Sequence, residues 1–434
     1  MSRTPSPQRP QSARGSGRLR PHRRTGTTAV LILAATVLAS LLLGPTAAGA
    51  ATQALPTPTS DRAQLTAAMD GFVRAGVPGI IVRVQDPDLA AFRSAAGVSD
   101  LATGAALRPS AQFRIGSVTK TFVSTVVLQL VGEGRLALDE PVARWLPGLL
   151  ANGNRITVRQ LLNHTSGLPN YSDDPELFAG IMQNRIWNPR ELIALAERHP
   201  LLFAPGTAYG YSNTNYIVAG LLIEAVTNRS LGEELDRRIF APLQLRHTSF
   251  PATTGRLTGY YLHGYLSPEP IPTPNGPRLD VTGYNPSHAW AAGAIVSNAG
   301  DLSRFYRALL AGRLLSPILL REMKKTVAED PTDPQRTFSY GLGLERVSDA
   351  CGANWGHAGA IYGYSSMAYW NERTGRTVVI ASNMSPAPAA AEAPLTTAAD
   401  LALCGNTRTS PAGAQQPQLR RPLDGGSRAV LQTP

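Results

Sequence analysis

Ser117 and Lys120 are the two side chains of this chain best suited to nucleophilic chemistry. They stand in Ser-Val-Thr-Lys at the predicted start of a helix, and residues three apart share one helical face. The chain has only three lysines against 38 arginines, and lysine, unlike arginine, can lose its proton when buried. The helix predicted over 119–133 is apolar on most faces and would bury Lys120, which could then sit neutral or exchange protons with Tyr211.

Tyr211 and Asn213 belong to a second segment, Tyr-Ser-Asn, which lies just before an apolar helix predicted over 215–226. A nearby cation favours the ionised form of a phenol, so we expect Lys120 to lower the pKa of Tyr211. Tyr211 would then act first as a base and later as the acid that protonates the leaving group. The amide of Asn213 would hold both the substrate carbonyl and the lysine.

His357 opens a third segment, His-Ala-Gly, which leads into a strand predicted over 361–370. Gly359 would let substrate backbone pair closely with the strand edge, and the backbone N–H groups of Ser117 and Ala360 would form an oxyanion hole. The sequence contains no zinc-ligand spacing, dinucleotide-binding motif or phosphate-binding loop. We therefore expect a site without a metal ion or a cofactor.

Strand patterns near both ends and a helical middle predict the elements that position these segments. The predicted fold class is α+β, with a mixed, mainly antiparallel sheet built from both termini and flanked by helices, and an all-helical lobe inserted over roughly 125–330. The cleft between sheet and lobe is the expected place of the site. The other predicted strands and the closing helix cover 79–84, 90–95, 340–347, 377–382 and 389–403.

The two ends of the chain are expected to lie outside a catalytic domain over 51–405. Residues 1–50 combine an arginine-rich start with an apolar run over 28–44 and small residues, which predicts a signal peptide cleaved near Ala50-Ala51. An uncleaved N-terminal anchor is the alternative. Residues 406–434 are predicted to be a disordered basic tail. The expected location is secreted or extracytoplasmic, with no membrane association after cleavage.

Net charge argues against a nucleic-acid partner. The chain carries +11, of which the leader accounts for +7 and the tail for +3, so residues 51–405 are nearly neutral. A nucleic-acid-binding domain would need a basic face on its folded part. The two cysteines, Cys351 and Cys404, most simply form one disulfide in an exported chain. We expect a monomer.

Taken together, these segments resemble the serine β-lactamase-like penicillin-recognising enzymes, in particular class C β-lactamases and secreted D-alanyl-D-alanine carboxypeptidases. The resemblance covers nearly all of residues 55–405. It implies that Ser117 is the acylated nucleophile, that Lys120 and Tyr211 handle its proton, and that Asn213 and His357 position the substrate. The segments that carry it are 113–120, 161–168, 205–206, 211–215, 292–294 and 340–344, with Cys351 and Cys404.

The sequence departs from that family where substrate carboxylates are bound. Members commonly carry threonine after the histidine and again after the glycine, where this chain has Ala358 and Ala360. Carboxypeptidases of this branch place an arginine directly after Gly-Leu-Gly-Leu, a position held here by Glu345. Arg346 follows as a candidate substitute, although adjacent strand residues face opposite ways. Both changes weaken recognition of a free D-alanine carboxylate.

The resulting prediction is an exported serine hydrolase that works through an acyl-enzyme. Its first expected activity is that of a D-alanyl-D-alanine carboxypeptidase on cell-wall peptides, with peptidoglycan as the partner. An esterase, an amidase or D-aminopeptidase, and a β-lactamase are alternatives, with small peptides, esters or β-lactams as substrates. A penicillin-sensing or wall-binding protein is the non-enzymatic alternative.

Overall fold

The computed structural model of this chain describes residues 58–269, 271–333, 337–349 and 351–405. The predicted signal peptide and the predicted basic tail lie outside the described residues. Among the helices of these ranges, none combines the length and the apolar character that are needed to cross a bilayer.

Thirteen strands are found in the described ranges, and nine of them form one sheet in which every pairing is antiparallel. The order in this sheet is β3-β2-β1-β13-β12-β11-β10-β9-β8, so strands from both ends of the domain meet at β1 and β13. Two small pairs, β4 with β7 and β5 with β6, lie apart from it. The strands are β1 (Gly79–Gln85), β2 (Phe92–Asp100), β3 (Ala105–Ala106), β4 (Gln112–Arg114), β5 (Tyr265–Leu266), β6 (Leu279–Asp280), β7 (Val296–Asn298), β8 (Val327–Ala328), β9 (Phe338–Tyr340), β10 (Glu345–Asp349), β11 (Gly352–Ile361), β12 (Tyr364–Asn371) and β13 (Thr377–Ser382).

Helices cover both faces of the large sheet. On one face α1 and α11 pack on each other and on the strands, and on the other face α9 packs on β1, β12 and β13. Because both faces are covered, all six residues of β13 are buried. The helices are α1 (Pro58–Arg74), α2 (Thr119–Gly132), α3 (Val158–Leu162), α4 (Pro175–Met182), α5 (Pro189–Ala196), α6 (Thr214–Thr227), α7 (Leu231–Leu235), α8 (Trp290–Gly293), α9 (Ala299–Leu310), α10 (Pro317–Met323) and α11 (Glu392–Cys404), with a 3₁₀ turn over Gly116–Val118.

The α+β fold class and its helical lobe are confirmed. Helix α2 is buried on nearly every side, as its apolar composition predicts, and Phe122 stacks on Phe305 with ring centroids 3.6 Å apart. Three helices of the lobe begin with a capping box, in which a polar side chain and a Glu or Gln three residues later bond each other's backbone. These pairs are Thr157 with Gln160, Asn188 with Glu191 and Ser230 with Glu233.

The prediction of one strand over 340–347 was wrong. The chain reverses there, because Gly341–Leu344 forms a tight turn in which Gly343 has a φ of +74°, and Tyr340 of β9 pairs with Glu345 of β10. The strand predicted from Ile361 is likewise a hairpin of β11 and β12. The predicted site residues from His357 to Ala360 therefore lie within β11.

The predicted disulfide is confirmed. Cys351 and Cys404 are bonded and join the start of β11 to the end of α11, with their Cα atoms 5.5 Å apart. They enclose a loop of 53 residues. A cross-link of that span stabilises a fold by about 4 kcal/mol on the loop-entropy estimate.

Candidate active site

Ser117 and Lys120 are placed by the junction between the 3₁₀ turn and α2. Gly116 has a φ of +50°, which turns the chain out of β4 and into the helix. Ser117 sits in the turn and is partly exposed, whereas Lys120 lies in the first turn of α2 and is fully buried. The nucleophile candidate therefore faces an opening, and its partner is sealed behind it.

Lys120 is the centre of the polar cluster. Its Nζ lies 2.8 Å from Ser117 Oγ, and it donates to Asn213 Oδ1 at 2.7 Å and to the carbonyl oxygen of Ala292 at 3.0 Å. The structure thus brings together residues 93 and 172 positions away from the lysine. Sequence reasoning assigned no role to Ala292, since a backbone carbonyl carries no signal in the residue type.

Burial lowers the pKa of Lys120 well below its ordinary value, and the negative charge of Glu345 opposes that effect only in part. A neutral amine keeps two N–H donors and gains one lone pair. The oxygens of Asn213 and Ala292 can only accept, so they retain the two donors. The lone pair then points at Ser117, the one partner that has a proton to give.

Tyr211 lies beside this pair but does not carry the predicted lowered pKa. Lys120 Nζ is 4.9 Å from the centroid of the Tyr211 ring, and the phenol is hydrogen-bonded to Ser117. Burial raises the pKa of Tyr211 well above 10, an effect that outweighs the hydrogen bond. That prediction was wrong because it assumed a cationic lysine and ignored desolvation. A protonated phenol remains able to donate a proton to a leaving group.

His164 holds the loop that carries Tyr211. Its ring lies 4.3 Å from the Tyr211 ring, its Nδ1 accepts from the backbone N–H of Ser212 at 3.2 Å, and its carbonyl accepts from Gly210 at 2.9 Å. Burial and the charges of Lys120 and His357 lower the pKa of His164 well below 6.5. The imidazole is therefore a neutral support and not a proton carrier.

Asn213 is held on three sides. Besides accepting from Lys120, it donates through Nδ2 to Ser172 Oγ at 2.9 Å, and its backbone N–H donates to Asn170 Oδ1 at 3.0 Å. Ser172 and Asn170 were missed, because nothing in their local sequence sets them apart. The Nδ2 amide has two hydrogens and Ser172 accepts one of them, so the second can donate to a substrate carbonyl, as predicted.

The predicted oxyanion donors lie where two segments touch. A Cβ atom on Gly116 would come within 2.8 Å of the backbone nitrogen of Ala360, and one on Gly359 would lie 3.0 Å from that of Ser117. Only glycine fits at these two positions. The 3₁₀ turn therefore packs backbone to backbone against β11, which brings the amides of Ser117 and Ala360 close together.

His357 is buried and bonded on both ring nitrogens. Nε2 lies 2.8 Å from the hydroxyl of Tyr340, and Nδ1 contacts the carbonyl of Ala358 and lies 3.2 Å from a carboxylate oxygen of Glu345. A carbonyl can only accept, so the proton belongs on Nδ1, and Nε2 accepts from Tyr340. Burial and the charge of Lys120 lower the pKa of His357 to about 3.

Glu345 is the site residue that sequence reasoning noted only as a departure. Its Oε2 accepts from the backbone N–H of Ala358 at 2.9 Å and from the hydroxyl of Tyr369 at 2.5 Å. Burial raises its pKa to about 7, against the opposing effects of Tyr369, Ala358 and Lys120. The position that the resemblance assigns to a carboxylate-binding arginine thus holds a carboxyl group that bonds β11.

Arg346 does not join the site. Its guanidinium lies over the ring of Trp355, 5.9 Å from the centroid, and Arg346 pairs with Trp355 across β10 and β11. No hydrogen bond or ion pair joins it to Ser117, Lys120 or Tyr211, all of them described residues. The proposal that Arg346 replaces the missing arginine finds no support in this geometry.

The chain matches a known protein family and resembles solved structures. A family model described as Beta-lactamase matches residues 62–402. A D-stereospecific amidohydrolase from Streptomyces sp. has a similar structure, with a TM-score of 0.71 and 38% sequence identity over 79% of this chain and 98% of that one.

Two curated relatives carry different names. Esterase EstB of Burkholderia gladioli is 31% identical over 316 residues, which cover 63% of this chain and 78% of the esterase. Penicillin-binding protein 4* of Bacillus subtilis is 27% identical over 324 residues, which cover 70% and 68%. The similar proteins therefore include an amidohydrolase, an esterase and a penicillin-binding protein, with sequence identities of 38%, 31% and 27%.

Proposed function

The chain belongs to the beta-lactamase family of serine hydrolases, and we propose that it cleaves D-configured amides or esters that carry no free carboxylate beside the scissile bond. The general reaction type, acyl transfer to a serine, is supported by family membership and by the hydrogen-bonded cluster around Lys120. The choice of substrate rests on Glu345, and the Streptomyces amidohydrolase and esterase EstB support it.

Acylation follows from the hydrogen bonds of Lys120. Ser117 Oγ attacks the substrate carbonyl carbon while its proton passes to the neutral amine of Lys120. The negative charge that develops on the carbonyl oxygen is stabilised by the backbone N–H groups of Ser117 and Ala360. The bond between carbonyl carbon and leaving nitrogen or oxygen then breaks, and that atom takes a proton from Tyr211.

Deacylation repeats these steps with water. During acylation the newly protonated Lys120 is a cation 4.9 Å from the Tyr211 ring centroid, which favours transfer of the phenol proton to the leaving group and leaves a phenolate. In deacylation a water molecule gives one proton to the Tyr211 phenolate, its oxygen attacks the acyl carbon, and the proton passes from Tyr211 to Ser117 Oγ as the ester bond breaks. Lys120 then reprotonates Tyr211, and the resting state is restored.

The single observation that carries the substrate assignment is the carboxyl group of Glu345. A peptide ending in D-alanine brings a carboxylate, which the ionised form of Glu345 would repel and which Arg346 is not placed to bind. An amide or an ester brings no such charge. The alanines at 358 and 360 also lack the hydroxyl groups with which relatives contact a carboxylate.

The second candidate is the D-alanyl-D-alanine carboxypeptidase on peptidoglycan, favoured by the match to penicillin-binding protein 4*. A β-lactamase would use the same acylation machinery and differ in the rate of deacylation. A penicillin-sensing or wall-binding protein without catalytic activity is disfavoured, because such a protein would not need the complete cluster of Ser117, Lys120, Tyr211 and Asn213. Export remains part of the proposal and is supported by the predicted signal peptide and by the disulfide.

The test compares three substrates at pH 8: D-phenylalanine amide, a short-chain nitrophenyl ester and diacetyl-L-Lys-D-Ala-D-Ala. We expect kcat/KM for the amide or the ester to exceed that for the peptide by at least about tenfold. Glu345→Arg should shift the ratio towards the peptide, and Glu372→Gln, on the β12–β13 turn, is the matched control. A wild-type preference for the peptide would establish the carboxypeptidase, and rapid release of a penicilloyl group from Ser117 would establish the β-lactamase.

A further inference from the structure

A cavity of about 270 Å³ lies between β1 and the helix α9, formed by residues that take no part in the active site. Arg83 enters it from β1, and Arg304 and Arg307 enter it from successive turns of α9. Arg313 follows just beyond the end of that helix. Its lining consists of Arg83, Gly300, Ser303, Arg304, Arg307 and Arg313.

The charge in this cavity is concentrated. Four of its six lining residues are arginines, while residues 51–405 as a whole carry a net charge near +1. Arg93, which pairs with Arg83 across β1 and β2, adds a fifth. Burial and the charges of Arg93, Arg304 and Arg307 lower the pKa of Arg83. Like charges held this close destabilise the fold unless an anion neutralises them.

A single carboxylate of the described residues forms an ion pair with the four arginines that line the cavity. Asp301, 3.6 Å from Arg304 Nη1, is the acid in contact with the group, and no described residue forms an ion pair with Arg83, Arg307 or Arg313. Neutral oxygens take some of the donors: Gln85 Oε1 from Arg83 at 3.0 Å and the Gln244 carbonyl from Arg304 at 2.7 Å. The guanidinium groups of Arg307 and Arg313 therefore have no carboxylate partner among the described residues.

We propose that this cavity binds the phosphoryl group of a phosphate-bearing ligand. Planar guanidinium groups bind phosphate oxygens in pairs, and several converging arginines favour a multiply charged anion over a single carboxylate. The hydroxyl of Ser303 offers a further donor in the lining. The volume fits a group of the size of diphosphate. Its source is either a small phosphorylated compound or one unit of a phosphodiester polymer.

Titration calorimetry on the full chain with inorganic diphosphate tests the proposal. We expect saturable binding that weakens with added salt, and a loss of affinity of about tenfold or more in Arg307→Gln and in Arg313→Gln. Arg190→Gln, an exposed arginine of α5, is the matched control and should bind as the wild type does. Hydrolytic activity should be unchanged in all three variants, because none of these residues touches the Lys120 cluster.

A second arm distinguishes the sources. Poly(glycerol phosphate) of defined length that binds more tightly than diphosphate, and competes with it, would identify the polymer. Diphosphate binding without competition would identify a small compound. No saturable binding of either probe, or equal binding by Arg307→Gln, Arg313→Gln and Arg190→Gln, would overturn the proposal.

Discussion

The two halves of the candidate active site differ in how closely they follow the family pattern. On the helical side, Ser117, Lys120 and Asn213 form the hydrogen-bonded set that their spacing predicted. On the sheet side, Glu345 replaces an expected arginine and bonds the strand that should meet the substrate. The groups proposed for acyl transfer thus follow the family pattern, whereas the groups proposed for substrate recognition depart from it. Activity and specificity should accordingly respond to different mutations.

The largest effect is expected from Ser117→Ala, which removes the nucleophile. Turnover should fall by at least about 10³-fold, and covalent labelling by a penicillin or an activated ester should disappear. Intact-mass spectrometry measures the label, and the thermal midpoint checks the fold. Ser348→Ala, which changes a hydroxyl on β10 that has no hydrogen-bond partner, is the control. Label retained in Ser117→Ala would place the nucleophile elsewhere.

Lys120→Arg should be nearly as damaging, because a guanidinium stays protonated and cannot accept the proton of Ser117. The burst of product that reports acylation should be lost. Lys325→Arg changes a lysine that is exposed and paired with Glu322, and it should leave the burst unchanged. Full activity in Lys120→Arg would refute the proton path.

In the wild type, kcat/KM should fall as the pH drops through the lowered pKa of Lys120, since only the neutral amine is active.

Tyr211→Phe should have a smaller effect, about 10²-fold on kcat, because it removes one proton donor and leaves the nucleophile and its base in place. The loss should be greater for amides than for nitrophenyl esters, whose leaving group needs no proton. Parallel rate measurements on both substrates check this. Tyr260→Phe, a surface tyrosine that bonds Ala106, is the control. Equal losses on both substrates would mean that the phenol acts in another step.

The smallest catalytic effect is expected from Glu345→Gln. This variant should change the pH dependence of stability while leaving ester hydrolysis nearly unchanged. Its folded pKa of about 7 lies above the ordinary 4.5, so the folded state holds its proton more tightly than the unfolded state. Stability should therefore fall as the pH rises from about 4.5 to 7, by up to about 3 kcal/mol. Urea unfolding at pH 5 and pH 8 measures this slope, and Glu345→Gln should flatten it while ester hydrolysis changes less than tenfold. An unchanged slope would contradict the buried carboxyl.

Local patterns predicted most of the elements. The apolar helices depend on residue types at short spacing, and their positions agree with the structure. The disulfide was predictable because the chain has only two cysteines. The strand predicted over 340–347 failed because apolar residues on both sides of Gly343 look the same in a straight strand and in a hairpin. The close approach of Gly343 to Ser124 in the distant helix α2, where a Cβ atom would collide, belongs to the turn and cannot be read from the local sequence.

The sequence was enough to name the central residues of the candidate site, but not its supporting residues or its electrostatics. Ser117, Lys120 and Tyr211 could be named from their types, but the direction of the Tyr211 pKa depends on burial by residues from several elements. The roles of Ser172 and of the Ala292 carbonyl arise from the folded path of the chain. A serine hydroxyl or a backbone carbonyl that the fold brings in from a distant segment cannot be identified from a single sequence.

The pairing of β1 with β13 has a consequence for biosynthesis. Ile80 pairs with Ser382, so the centre of the sheet joins segments roughly 300 residues apart. A nascent chain still attached to the ribosome lacks the strand that β1 requires and cannot complete this centre. Final assembly must therefore wait until synthesis is almost finished, which leaves the polypeptide open to chaperones for most of its production.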